Sequence, residues 1–130
     1  MGSHDSVTEL NDHFIATMNA GDLDGALSCW TDDTVFHTAD GAVTGMDNLR
    51  RELQAFIDTK PTLTIEELHR IEAGDTTLVS LKWHLDGTAP DGEPISMGAV
   101  DANVFRRQAD GTWRILIDNP FHSVHTGADA

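Results

Sequence analysis

The side chains able to do chemistry are few, and their settings differ. His37 ends the run "TDDTVFH", where it alternates with Phe36 along a strand. An imidazole with a pKa of about 6.5 suits proton abstraction near neutral pH if it faces a cavity; otherwise it is a hydrogen-bonded wall or rim residue. Asp118 stands in "ILIDNPF". A carboxylate in so apolar a run is not there for solvation alone. It pairs with His37, caps the turn at Asn119-Pro120, or touches a ligand. Asp101 and Asn103 lie two residues apart in "VDANVF", on one face of a strand. The amide of Asn103 can donate to a carbonyl or a developing oxyanion but cannot surrender a proton.

Other chemistries find less support. His37 and His84 with Asp101 or Asp118 would make a two-histidine-one-carboxylate set, but no HxH or HExxH spacing accompanies them, and no metal is expected. The lone Cys29 forbids an internal disulfide and a cysteine metal cage; its place in a helical apolar pattern makes it a small core residue. His13 and His69 read as surface residues, and His122 and His125 fall in a Gly- and Ala-containing tail. No GxGxxG fingerprint is present, so no cofactor is expected. With a net charge of −14, the chain should repel nucleic acid and anionic membrane surfaces. No apolar run reaches the roughly 20 residues of a membrane helix, and no basic-then-apolar leader opens the chain. The expected location is the cytoplasm.

These residues need elements to position them. Val7, Leu10, Phe14 and Met18 recur at helical spacing, with Ser6 and Glu9 as a capping box and Gly21 as a left-handed stop. Asp22 caps a short second helix with Leu23, Ala26, Leu27 and Trp30 on its face. "TVFHTADGAVTG" reads as a hairpin turning at Asp40-Gly41. Thr44 and Asp47 open a third helix with the stripe Met46, Leu49, Leu53, Phe56 and Ile57. After Pro61 the period changes from 3.6 to 2. Four strands follow, at about 62–72, 76–87, 93–107 and 112–119, separated by "AGD", "TAPDGE" and "QADG". In the second of them Val79, Leu81, Trp83 and Leu85 form one apolar face, read as cavity wall or core. A single domain spanning 1–130 follows, with residues 1–5 and 123–130 as flexible ends. Its class is α+β: three N-terminal helices wrapped on a strongly curved, mostly antiparallel, cone-shaped sheet.

"NAGDLDGALSCWTDD" in the first two helices and "NVFRRQADGTWRI" across the last hairpin resemble the nuclear transport factor 2-like superfamily, in its SnoaL-like and ketosteroid isomerase-like branch. The ending "WRILIDNPF" is similar to a subgroup of small bacterial proteins with a DNPF motif. The resemblance covers about residues 6–121 and implies a cone with a ligand pocket. Ketosteroid isomerase uses a tyrosine, a carboxylate base and a protonated aspartic acid. Matched residue by residue, these fall on Phe14, His37 (allowing a one-residue gap after "TDD") and Asn103. All three groups are replaced, which excludes steroid isomerisation by that route. The match also turns His37 inward, and Asp118 with Leu116, leaving Phe36 outward. It implies that Phe14, Met18, Trp30, Trp83, Met97, Phe105 and Leu116 line the pocket.

Two functional expectations follow. In one, the chain is a cofactor-independent isomerase, cyclase or hydratase acting on a small apolar carbonyl compound. His37 would be the base, Asp118 or Asp101 its orienting group (with His37 within about 4 Å of a carboxylate or of Asn103), and Asn103 the oxyanion donor. In the other, it is a non-catalytic ligand-binding or dimeric assembly module. Either way the expected partners are a small molecule and a second copy of the chain. The two copies would pair through an outward patch of Val100, Val104 and either Trp113 or Ile115.

Overall fold

The computed structural model describes residues 2–126. The chain runs α1 (Val7–Ala20), α2 (Leu23–Leu27), β1 (Trp30–Thr38), β2 (Gly41–Val43), α3 (Met46–Ile57), β3 (Thr62–Ala73), β4 (Thr76–Thr88), β5 (Pro94–Val100), β6 (Asn103–Arg107), β7 (Trp113–Asp118) and α4 (His122–Thr126). The seven strands form one open, curved sheet, ordered β2-β1-β7-β6-β4-β3, with β5 also paired to β4. All pairs are antiparallel except β1 with β7.

The helix ends follow their caps. Ser6 Oγ accepts from the Glu9 N–H at 3.1 Å, and Gly21 closes α1 in the left-handed region at φ 73°. Asp22 Oδ1 accepts from the Gly25 N–H at 3.0 Å. A Cβ on Gly25 would stand 2.6 Å from Thr17 Cγ2, so only glycine lets α2 fold back this tightly on α1. α3 differs from expectation: its N-cap is Gly45, with no side-chain capping bond.

α1 and α3 press Leu10, Met18, Leu49, Leu53 and Ile57 onto the sheet's inner face, where β4 offers Val79, Leu81, Trp83 and Leu85. Burial along β4 alternates strictly, as the period-two pattern requires. The expected third long strand is broken. β5 and β6 pair with successive halves of β4, and between them Asp101 replaces a backbone rung: its N–H donates to Leu81 O at 2.8 Å, and its Oδ1 accepts from Leu81 N–H at 2.7 Å. Register shifts mark further irregularities in β1 between Trp30 and Val35, in β3 at Leu68, and in β7 at Leu116. Such bulges bend strands and turn a flat sheet into a curved one.

Candidate functional site

The curved sheet and the two long helices leave a cavity of about 90 Å³ between them. α1 contributes Asn11, Phe14 and Met18; β1 contributes Trp30 and Phe36; β4 contributes Leu81, Trp83 and Leu85. Pro120 and Phe121, just past β7, complete the wall. They are held there by Trp83, whose Nε1–H donates to Pro120 O at 2.7 Å while its ring meets Phe121 edge-on at 5.6 Å. The wall is apolar apart from one corner where Asp101, Asn103 and Asp118 converge, and Asn11 on the helix side.

The polar corner contains two different kinds of acid. Asp101 is held by donors on both oxygens: Leu81 N–H on Oδ1, and Asn103 Nδ2 on Oδ2 at 3.1 Å. Asn103 is itself oriented, since its Oδ1 accepts from Asn119 N–H at 2.8 Å, which leaves the amide nitrogen for Asp101. Burial pushes the Asp101 carboxyl up to about 8, with the Leu81 N–H opposing and the charge of Asp118 adding to the rise. Asp118 lacks this support. Burial pushes it up to about 7, and the Trp30 indole N–H counteracts only in part, without completing a hydrogen bond. Asp118 lines the cavity and receives no hydrogen bond from the described residues. Asp101 and Asn103 tie the kink between β5 and β6 to Asn119, just past β7.

Of the residues expected at the site, Phe14, Met18, Trp30, Trp83, Asp101, Asn103 and Asp118 line the cavity. His37 does not. Phe36 is the Cα partner of Asp118 across β1 and β7, and ladder partners point to the same face, so Phe36 faces inward and His37 outward. Phe36 packs between Trp30, at 5.1 Å, and Phe56, at 6.2 Å, and burying that ring decides the orientation of the strand. His37 instead meets the ring of His125 on α4 edge-on at 4.7 Å, and its buried Nδ1 has no partner among the described residues. No hydrogen bond joins His37 to Asp118 or Asn103 there.

Three expected wall residues are also displaced. Leu116 is the extra residue of the β7 bulge: Phe105 pairs with Ile115 and Val104 with Ile117, so Ile115 takes the inward position. Phe105 is fully buried in the core behind the wall rather than at its surface. Met97 pairs with Leu85 one strand further out and packs at the core's edge. Asn11 was missed, although its spacing with Phe14, Ile15 and Met18 is that of one helix face. Its amide makes no hydrogen bond among the described residues.

An open curved sheet wrapped by helices, with a polar corner inside an apolar cone, defines the NTF2-like class. Within it the chain belongs to the SnoaL-like domain family, whose model matches residues 12–115. The structure is similar to an NTF2-like superfamily protein from Salmonella enterica serovar Typhimurium (TM-score 0.77, 16% identity, covering 87% of this chain and 85% of that one). It is also similar to a ketosteroid isomerase-like protein from Erwinia carotovora atroseptica (TM-score 0.75, 16% identity, 89% and 92%). A third similar structure is a protein designated a dehydratase of the NTF2-like family from Streptomyces avermitilis (TM-score 0.71, 21% identity, 86% and 90%). At these identities the likeness establishes the fold alone. No curated protein matches the chain. Among the described residues no helix is long and apolar enough to cross a membrane.

Proposed function

We propose that the cavity binds a small, mostly apolar, uncharged molecule carrying a carbonyl or similar acceptor, and that Asp118 exchanges a proton with it without a cofactor. Isomerisation, hydration or dehydration are the matching reaction types. The observation that carries this reading is a buried carboxyl, raised to about 7 by its apolar surroundings, that faces the cavity with no hydrogen-bond donor committed to it. Such a group holds a proton for part of the time near neutral pH, so it can serve as acid or base. Asn11 is placed to orient the ligand from the helix side.

Size narrows the ligand. An engineered apolar cavity of about 150 Å³ holds benzene. A cavity of about 90 Å³ takes a smaller molecule.

The test is a thermal-shift screen of small ketones, enones and hydroxy ketones, followed by turnover assays on the hits. A ligand that stabilises the wild type, is converted by it, and is converted at least about a hundredfold more slowly by Asp118→Asn supports the reading. A hit that binds and is never converted makes the chain a binding module.

We propose further that the chain works as a homodimer through the sheet's outer face. Val35, Ile117, Val104, Leu78 and Ile71 lie in register across β1, β7, β6, β4 and β3 and form one apolar row there. The patch differs from the one expected: Ile115 and Trp113 belong to the inner side, where Ile115 is buried and Trp113 packs against the core.

A further inference from the structure

Outside the cavity, three side chains with metal-ligating atoms come together from three parts of the chain. His4 lies in the turn before α1, His13 on α1, and Cys29 between α2 and β1. One ligand atom from each lies within 4.8 Å of the other two. We propose that His4, His13 and Cys29 form a binding site for a zinc-like divalent ion, unrelated to the cavity chemistry.

The convergence is built rather than incidental to a loose terminus. The Trp113 N–H donates to His4 O at 2.7 Å and fastens the N-terminal turn to the start of β7. The Cys29 N–H donates to Ala26 O, and its carbonyl accepts from Ile115 N–H, fixing the cysteine between helix and sheet. The rings of His4 and His13 lie 5.2 Å apart, tilted by 53°. His4 bridges Ser3 Oγ through Nδ1 at 2.7 Å and Ser28 through Nε2 at 3.2 Å. One nitrogen can therefore take an ion while the other keeps its partner, the arrangement common to ligating histidines.

Donor type selects the ion. One thiolate and two imidazoles suit zinc and its neighbours, and do not suit magnesium or calcium. Around a tetrahedral ion the donors would stand about 3.5 Å apart, so closing the present spacing needs a movement of about 1 Å, within reach of side-chain rotation. A water would complete four ligands.

A thiolate, not a thiol, ligates the ion, so binding must expel the Cys29 proton.

The test is titration of the full chain with Co²⁺, then Zn²⁺. The expected result is one Co²⁺ per chain with a thiolate-to-cobalt charge-transfer absorption, displaced by equimolar Zn²⁺ with release of about one proton. Cys29→Ala should abolish the band, and His13→Gln should weaken Zn²⁺ binding by at least about a hundredfold, more than an outer-shell change costs. His13 is only half-buried, so His13→Gln is the variant that decides if Cys29→Ala fails to fold. Absence of the charge-transfer band overturns the proposal. So does Zn²⁺ binding that needs His4 yet is unchanged in both His13→Gln and Cys29→Ala.

Discussion

Phe36 and Asp118 stand opposite each other across the parallel β1–β7 ladder and point together into the cavity. This pairing sets the character of the site. The aromatic ring withdraws solvent from the acid beside it, and the acid, without a committed donor, answers by holding its proton at higher pH. It also consigns the next residue, His37, to the outer face.

The raised Asp118 makes stability depend on pH. Its carboxyl titrates near 3.8 when exposed and at about 7 in the fold. Between those values the native state holds a proton that the unfolded chain has released. Stability from this group is therefore complete below pH 4 and is lost as pH rises through 7. The interval corresponds to on the order of 4 kcal/mol, and Asp101 adds in the same direction. Urea unfolding at pH 5 and pH 8 should show a loss in the wild type that shrinks by a few kcal/mol in Asp118→Asn. An identical loss in both proteins would remove Asp118 as its source.

His37 and Asp118 can be told apart by ligand response. For any molecule that raises the wild-type Tm, His37→Ala should leave the shift unchanged within about twofold in Kd. Asp118→Leu should reduce it at least tenfold, because the polar contact inside the cone is gone. Calorimetric titration of the two variants checks this. A larger effect from His37→Ala would mean that β1 turns over on binding.

Much of this geometry was legible in the residues, and the exceptions have physical causes. The face of β4 could be read from Val79, Leu81, Trp83 and Leu85, because strict alternation survives wherever a strand is regular. Asp118 stood out because a carboxylate amid "ILID" has no cheap solvated position. Leu116 was misplaced because a bulge adds one residue and reverses inside and outside beyond it, and no residue type marks the spot. His37 was a different error. The alternation was right, but likeness to a base-bearing segment outweighed the plainer rule that Phe36, the more apolar neighbour, takes the buried face. Asp101 shows what pattern cannot reach: a side chain standing in for a backbone carbonyl in the β4 ladder.

Thr34 should prove a structural key to the parallel pairing. It is fully buried; its Oγ1 donates to Ile115 O at 2.6 Å and accepts from Thr31 N–H at 2.8 Å. The hydroxyl thus spans the irregular stretch of β1 and joins it to β7. Thr34→Val keeps the shape but strands both partners. The expected cost is about 2–3 kcal/mol, a fall in Tm of roughly 10 °C, while Thr34→Ser, which retains the hydroxyl, loses less. Thermal melts of the two variants decide; equal destabilisation would assign the effect to packing.

The outer row gives the last prediction. Ile71, Leu78 and Ile117 are 50%, 39% and 38% exposed, and with Val35 and Val104 they form a continuous apolar band across five strands. A two-fold mate laid across the band would bury each row on its copy, which is the self-complementary contact a symmetric dimer needs. A stable dimer buries about 1,200–2,000 Å² in total, and a five-strand face is wide enough to supply it. Light scattering at micromolar concentration should give twice the 14.1 kDa chain mass. Leu78→Lys places a charge at the centre of the band and should weaken dimerisation at least a hundredfold with little change in the unfolding midpoint of the isolated chain, since Leu78 is outside the core. A wild type that scatters as 14.1 kDa throughout would show that the band serves another purpose.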